Sequence, residues 1–319
     1  MTLKMNNTDY LNMTSAINHA MSSKVWAMLI LLSILWGGSF FFIGVAVNDL
    51  PPLSIVTLRV GIAAFTLWSI AMMIGLRPPE SLNVWVSFLG MGLLNNVIPF
   101  TLIVWGQTQI ASGLASILNA ATPIFTVVVA GIILPDERPT PLKLIGVVVG
   151  FMGVAVMIGV PTLRDESNLL AQLAIVVAAI SYALAGVYGR RFKSLGVNPV
   201  MTAAGQVTAS TLVLLPIMLC VDGTINTGST NMSTWIAIVG LAVASTAIAY
   251  ILYFRILELA GATNVLLVTL LVPVSAVLLG ALFLNESLEM IHFIGMGLIA
   301  LGLSVIDGRI WNRMKSVFA

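Results

Sequence analysis

The feature that most constrains this chain is a succession of long stretches that contain no Asp, Glu, Lys or Arg. These stretches run over 25–48, 60–76, 81–135, 144–163, 167–189, 194–221, 223–254, 259–285 and 290–306. A helix needs about 20 apolar residues to cross the hydrocarbon core of a bilayer. The stretch 81–135 is too long for one crossing and is predicted to break at Gly106–Gln109. The ten spans predicted are 25–46, 53–75, 82–105, 109–134, 142–160, 169–189, 199–220, 233–254, 262–284 and 291–308.

The composition agrees with a protein that faces lipid. Of the 319 residues, 59% are hydrophobic and 8% are charged, whereas a soluble domain carries about 25% charged residues. The predicted fold class is therefore an all-α integral membrane protein. The net charge of +2 gives no case for a nucleic-acid partner. The only two histidines, His19 and His292, nearly exclude a histidine-based metal site, and no cofactor is expected.

The distribution of Lys and Arg predicts the orientation, because cytoplasmic loops are enriched in both. With ten spans and a cytoplasmic N-terminus, twelve of these residues lie on the cytoplasmic side and only Arg164 lies outside. The strongest marker is the segment Arg190-Arg191-Phe192-Lys193 after the sixth span. Both termini are predicted to be cytoplasmic, in a multi-pass protein of the cell (inner) membrane.

Two segments of the chain resemble each other at a nearly constant offset. A shift of 150 residues places Pro123 on Pro273, and a shift of 147 places Arg59 on Gln206. The first shift also pairs Asn119 with Thr269 and Asn96 with Thr246, and a slip of one residue pairs Glu137 with Glu286. Chance similarity between apolar segments is the alternative. Five spans per half is an odd number, so the halves would have opposite orientation, as in transporters that work by alternating access.

The predicted domains follow from this repeat. A cytoplasmic tail, 1–24, precedes a five-helix repeat, 25–160. An external linker, 161–168, leads to the second repeat, 169–308, and a cytoplasmic tail, 309–319.

Several short motifs resemble one known family. They include Leu35-Trp36-Gly37-Gly38-Ser39-Phe40, Pro52-Leu53 followed by Leu58-Arg59, Ser181-Tyr182-Ala183, and the two Pro…Glu segments. Their order and the span count resemble the drug/metabolite transporter superfamily, in its EamA-type branch, over nearly all of 25–308. The resemblance implies a secondary transporter, often an exporter, of small organic solutes such as amino acids, metabolites or toxic amines. One departure is Pro135-Asp136-Glu137, where the family usually has a glycine and one residue fewer.

Matched polar residues and deep aromatic residues are the candidates for substrate binding. Polar side chains in a bilayer are costly and mark either helix–helix hydrogen bonds or a solute pathway. The predicted substrate-binding residues are Trp36, Asn96, Trp105, Asn119, Tyr182, Thr246, Tyr250 and Thr269.

A second set is predicted to be structural or to take part in gating. Pro123 and Pro273 are expected to kink the fourth and ninth spans, because proline removes a helical hydrogen bond. Arg59 is the only charge away from the ends of a predicted span, and it either snorkels to the headgroups or faces inward. Glu137 and Glu286 lie near span ends. No Asp or Glu lies in mid-span, so uniport, exchange and coupling through these two glutamates all remain open.

The alternatives to a carrier are a channel, a non-transporting membrane scaffold and, least favoured, an intramembrane enzyme. An enzyme would need paired Asp residues, a His-rich cluster or a Ser–His or Ser–Lys dyad within the spans, and none is present in the sequence. The expected partners are the bilayer and a small-molecule substrate. Solute identity and oligomeric state do not follow from the sequence.

Overall fold

The computed structural model describes residues 22–110, 112–135, 140–158, 169–225, 230–283 and 290–307, and within these ranges the chain forms helices and no strands. A helical turn, Arg191–Ser194, follows the helix Leu169–Gly189. The helices are α1 Ser23–Ala46, α2 Pro52–Met73, α3 Leu82–Gln107, α4 Ser112–Asn119, α5 Thr122–Ile133, α6 Pro141–Ile158, α7 Leu169–Gly189, α8 Pro199–Val221, α9 Met232–Leu266, α10 Val268–Phe283 and α11 Met290–Asp307.

The surface of these helices is apolar enough for contact with lipid. Six of the described helices are long and apolar enough to cross a membrane: α1, α2, α3, α7 with its following turn, α8 and α9. Large side chains in the middle of helices face outward; Phe65 of α2 is 77% exposed and Val128 of α5 is 51% exposed. Such surfaces are unfavourable in water and favourable in hydrocarbon. The prediction of an all-α membrane protein is confirmed, and the count of ten spans stays a prediction.

The predicted break of the longest apolar stretch is present, but the next segment differs from the prediction. α3 ends at Gln107, and α4 begins at Ser112. The single helix predicted over 109–134 is instead two helices, α4 and α5, separated at Ala120–Ala121. Pro123 lies in the first turn of α5, where its missing N–H costs nothing, so it begins a helix and does not kink one. Pro273, in contrast, lies inside α10.

The predicted gap between the eighth and ninth spans, 255–261, contains the residue at which the helix breaks. Gly261, inside α9, has non-helical angles with φ of 82°, and only glycine adopts this conformation without a steric cost. The eighth predicted span, 233–254, is six residues too short, because the helical structure continues to Ala260. The ninth predicted span starts at 262, directly after the break.

Each half contains a π-helical segment in its longest helix. Leu93–Val97 interrupts α3 and Val243–Ile248 interrupts α9, and the two segments start 150 residues apart. A π segment widens the helix and shifts its backbone hydrogen bonds, and such segments are frequent at functional sites. Ser181 donates to the carbonyl of Leu94 at 2.7 Å, so α7 satisfies part of the altered backbone of the first segment.

Helices of the two halves pack against each other in a reciprocal manner. α2 packs on α8 and α6 packs on α11, while α1 contacts α9 and α10, and α7 contacts α3 and α5. Gly90 of α3 packs against the ring of Tyr188 on α7, and Gly240 of α9 packs against Phe42 on α1. These glycines are also 150 residues apart.

α6 and α11 approach each other more closely than side chains allow. A Cβ on Gly146 would lie 2.7 Å from the carbonyl oxygen of Gly302, and a Cβ on Gly302 would lie 2.6 Å from the backbone nitrogen of Gly150. Gly153 packs on the carbonyl of Gly295 in the same manner. Small residues that let backbones meet are the usual means of helix association in membranes.

Two aspartates join the halves at one end of the bundle, which we call the aspartate end. Asp49, after α1, accepts hydrogen bonds from the Thr234 hydroxyl at 2.6 Å and from the backbone N–H of Asn231 at the start of α9. Asp222, after α8, accepts from the backbone N–H and the hydroxyl of Ser54 at the start of α2. The hydrogen bond from Thr234, followed by that from Asn231, holds the pKa of Asp49 below its usual value.

Arg190–Ser194 marks the opposite end, which we call the arginine end. α8 starts at Pro199, close after this turn, and reaches Asp222 after 23 residues, or about 33 Å at 1.5 Å per residue. The two ends are therefore separated by the thickness of a bilayer core.

Candidate functional site

A small cavity lies between the halves and has a volume of about 40 Å³. A buried water needs about 10–15 Å³ on the same measure, so the space holds about three waters. The walls come from α1, α2, α3, α4, α7, α9 and α10. The lining residues are Trp36, Ser39, Phe40, Ile43, Arg59, Asn95, Phe100, Ile103, Asn119, Tyr182, Tyr250, Tyr253, Leu266, Thr269 and Val272.

Arg59 provides the only formal charge among the lining residues. Its side chain is 4% exposed, and it crosses from α2 to the π segment of α9, where its Nε–H donates to Thr246 Oγ1 at 2.7 Å. Its guanidinium carbon lies 3.5 Å from the centroid of the Phe100 ring. A cation over an aromatic face is attracted by the ring quadrupole. The hydrogen bond and the ring together hold the guanidinium toward the cavity, and not toward the headgroups.

Thr246 can accept this hydrogen bond because its own proton is donated to the backbone of α9. Its hydroxyl donates to the Leu241 carbonyl at 2.8 Å, which leaves its lone pairs to accept from Arg59. A hydroxyl has one proton and two acceptor sites, so both bonds form together.

A hydrogen-bonded network lies behind the cavity wall. The hydroxyl of Tyr250 donates to the side-chain carbonyl of Asn96, and the Asn96 amide donates to Ser210 at 2.8 Å. Asn95 donates to Gln206 at 3.1 Å. Tyr250 also stacks on Phe100, with ring centroids 6.5 Å apart and an interplanar angle of 5°. The network ties α3, α8 and α9 together and fixes the ring that supports Arg59.

Two polar atoms on the cavity wall have no hydrogen-bond partner among the described residues. They are the side-chain oxygen of Asn119 and the hydroxyl of Tyr253, on residues that are 7% and 1% exposed. Buried polar groups are nearly always hydrogen-bonded. Both atoms are therefore suited to pair with water or with a bound solute.

The structure brings together most, but not all, of the predicted substrate-binding residues. Trp36, Asn119, Tyr182, Tyr250 and Thr269 line the cavity, as does Arg59 from the structural set. Asn96 and Thr246 lie behind the wall and hold Tyr250 and Arg59. Trp105 is not among the lining residues, because it lies two residues beyond Ile103 on a different face of α3.

Two other residues predicted to be structural or to take part in gating, Pro123 and Pro273, are not among the lining residues. Pro123 follows the break after Asn119, and Pro273 follows Val272 in α10. Glu137 and Glu286 lie outside the described residues.

The sequence reasoning missed several lining residues. Asn95 belongs to a polar pair whose other member, Asn96, was chosen, and the π segment turns Asn95 toward the cavity. Phe100 and Tyr253 contact Arg59 and Trp36 respectively. An aromatic residue in an apolar segment has no distinguishing pattern. The aliphatic residues Ile43, Leu266 and Val272 carry no signal at all.

A second cleft of about 270 Å³ lies at the arginine end. It is lined by the turn Arg190–Ser194 and by Phe254, Leu257, Glu258 and Gly261 of α9. Tyr253 lines the central cavity and its neighbour Phe254 lines this cleft, with their rings 5.0 Å apart. A few aromatic side chains thus separate the two spaces.

An apolar helical bundle with a small cavity between two halves that pack reciprocally is the architecture of a membrane protein. The model of the EamA-like transporter family matches this chain twice, over residues 24–159 and 169–306. The chain therefore belongs to the EamA-like transporter family, which confirms the family predicted from the sequence and makes the chain a membrane transporter and not an enzyme.

Characterised and uncharacterised relatives agree with this assignment. The chain is 27% identical over 286 residues to an uncharacterized transporter of Archaeoglobus fulgidus, covering 89% of this chain and 98% of the relative. It is 26% identical over 306 residues to a probable amino-acid metabolite efflux pump of Escherichia coli K12, covering 93% and 99%. A solved crystal structure superposes with a TM-score of 0.72 at 20% identity, covering 90% of this chain and 98% of the other. That structural match shows the fold.

Proposed function

We propose that this chain is a secondary transporter that exports a small organic solute, by alternating access of the cavity around Arg59. The observation that carries the proposal is the cavity itself, which is mainly apolar, contains the charged Arg59 and the polar Asn119, and is lined by both halves. Its volume of about 40 Å³ is too small for an amino acid. The halves must separate for a solute to bind, as alternating access requires.

Several features support two five-helix halves of opposite orientation. The family model matches each half separately. α2 starts at the aspartate end, whereas the matched helix α8 starts at the arginine end. The π segments and the glycines that pack on aromatic rings repeat at the same offset of 150 residues. Ten spans with both termini in the cytoplasm follow, and the aspartate end is then external.

The two ends of the bundle would open in turn. At the aspartate end, Asp49 and Asp222 hold the starts of α9 and α2. At the arginine end, Tyr253 and Phe254 separate the cavity from the larger cleft, which would be the cytoplasmic vestibule. Export of an amino-acid metabolite, the activity that the Escherichia coli relative's name gives, is the direction and solute class we adopt.

The test is solute flux in liposomes that contain the purified protein. We expect saturable flux of at least one solute in a panel of amino acids and amines. Ser39→Trp fills the cavity and should abolish this flux, whereas Phe41→Trp, two residues along α1 and 51% exposed, should not. Asn119→Leu, of similar size to the wild type, should lower the flux without loss of folded protein. Equal flux in wild type and Ser39→Trp would place the pathway elsewhere, and non-saturable flux would indicate a channel.

Orientation is tested separately by labelling. Cysteines at Asn48 and at Lys193, each exposed, are introduced into a Cys220→Ser background. In intact cells an impermeant thiol reagent should label position 48 and not position 193. The reverse pattern would invert the proposed topology.

A further inference from the structure

We infer that the transported solute carries a carboxylate, and that Arg59 is the residue that binds it. This inference rests on the proposed function, because it assumes that the cavity holds the solute. It selects an organic acid or amino acid, in place of the amines that the family resemblance also allows.

The residues that line the cavity provide no negative charge to Arg59. Arg59 is 4% exposed, and among the described residues no carboxylate forms an ion pair with it. The lining residues include no Asp or Glu. A guanidinium within a membrane protein is costly, and such charges pair with a partner or mark a solute pathway. A bound anion would supply the charge that the protein does not.

The N–H groups of Arg59 that are not used by Thr246 are available to a solute. Nε–H is used by Thr246, and one face of the guanidinium lies on Phe100. The two terminal nitrogens donate to no described residue, so they remain available on the cavity side. A guanidinium fixed in this manner offers parallel N–H groups, which is the geometry that binds a carboxylate through two hydrogen bonds.

Two unpartnered polar atoms also belong to residues of the cavity wall. The side-chain oxygen of Asn119 and the hydroxyl of Tyr253 are buried without partners. A solute with a hydrogen-bond donor near its carboxylate, such as the ammonium group of an amino acid, would satisfy Asn119. The remaining walls, from Ile43, Phe100 and Val272, suit an apolar body.

The charge count excludes the other classes of ion. A cationic amine without a carboxylate would be repelled by Arg59 and would meet no acidic lining residue. A phosphate monoester carries nearly two charges at neutral pH, and the lining provides a single cation. A single carboxylate supplies one counter-charge to the one cation of the cavity wall.

The experiment compares acids with their amides on the purified wild-type protein. Dissociation constants are measured by thermal stabilisation for L-phenylalanine, L-leucine and L-threonine, each against its amide, and for 2-phenylethylamine and phenyl phosphate. Losing a charge-assisted hydrogen-bonded pair should weaken binding on the order of ten- to a hundredfold, so at least one acid should bind that much more tightly than its amide. The amine and the phosphate should bind no better than the amides.

Variants assign the preference to Arg59. In Arg59→Gln the acid and the amide should bind alike, whereas Arg255→Gln, on the exposed arginine of α9, should keep the wild-type preference. Arg59→Lys keeps the charge but loses the planar fork and should show an intermediate preference. The comparison of ligands on wild type needs no variant, so poor folding of Arg59→Gln does not block the test.

The inference is overturned if an amide or the amine binds as tightly as the acid, if phenyl phosphate binds more tightly, or if no acid in the panel binds. Its failure is separable from failure of the proposed function. If the wild type transports an amine and Ser39→Trp abolishes that transport, the proposed function stands and the inference of a carboxylate fails. Flux that Ser39→Trp leaves unchanged would show that the cavity is not the transport pathway.

Discussion

Two contacts that cross between the halves involve the matched residues Arg59 and Gln206 and have different consequences. In one, Arg59 of α2 donates to Thr246 in the π segment of α9; in the other, Asn95 in the π segment of α3 donates to Gln206 of α8. Arg59 borders the cavity, whereas Gln206 is 0% exposed and lies in a solid polar core. The same arrangement thus provides a binding surface in one case and a structural bond in the other. The difference shows that a charge is tolerated only where the packing leaves room for a counter-ion or water.

The largest effect is expected when Gln206 is replaced by arginine, the residue at the matched position 59. Gln206→Arg would bury a cation with no cavity beside it, which we expect to destabilise the fold by about 3–5 kcal/mol. Gln206→Leu is the control, since it keeps the volume without the charge. Yield and the melting temperature of the purified variants are the measurements. A Gln206→Arg protein as stable as wild type would mean that the two positions differ less than the contacts indicate.

The next effect concerns the glycine that lets α8 approach the first π segment. A Cβ on Gly92 would lie 2.8 Å from both the Gln206 carbonyl and the Ser210 hydroxyl. Gly92→Ala should therefore cost about 1–3 kcal/mol through overpacking. The matched residue 150 positions later is Ala242, and Ala242→Gly should cost no more than about 1 kcal/mol. Similar melting temperatures for the two variants would contradict the claim that only the first half requires this close approach.

A smaller effect is expected at the matched pair Phe100 and Tyr250. Tyr250→Phe makes the two positions identical, keeps the stacked rings, and removes the donor to Asn96. The cost should be about 1–2 kcal/mol, because a buried side-chain oxygen loses its partner. Thermal unfolding measures this cost. Phe254→Tyr, the addition of a hydroxyl elsewhere in the aromatic cluster, serves as a control for the size of the substitution.

The smallest effect is expected at the aspartate end. The lowered pKa of Asp49 means that its stabilising contribution is present above the usual carboxyl pKa and is lost as the pH falls through the lowered value. Asp49→Asn should reduce the melting temperature slightly at pH 7, and its difference from wild type should disappear only once the pH has fallen below the lowered pKa of Asp49. A difference that persists at acid pH would show that the contact does not depend on charge.

The sequence predicted the helices well, because the absence of charge over about 20 residues has one physical explanation. α1, α2, α7 and α8 begin and end within two residues of their predicted bounds, 25–46, 53–75, 169–189 and 199–220. The failures are local. The turn at Ala120–Ala121 interrupts a helix without interrupting the apolar pattern, and the eighth predicted span ends six residues before the break at Gly261.

The candidate site was predictable to the extent that polarity identifies it. Arg59 and Asn119 stand out in apolar surroundings, and both line the cavity. The division between Asn95, which faces the cavity, and Asn96, which faces the network, depends on the π segment. Sequence periodicity assumes a regular helix, so it assigns such neighbours to the wrong faces.

The backbone contact between α6 and α11 has a consequence for how this chain can change over generations. Gly146 and Gly302 each leave no room for a methyl group against the other helix. An enlargement at either position cannot be compensated by a reduction at the other, because glycine is already the smallest residue. Gly150 differs, since its nearest neighbour is the flexible Leu270 side chain at 3.0 Å. Among natural variants, a larger residue at position 150 should therefore occur together with a smaller residue at position 270. Positions 146 and 302 should show no covariation, because neither varies.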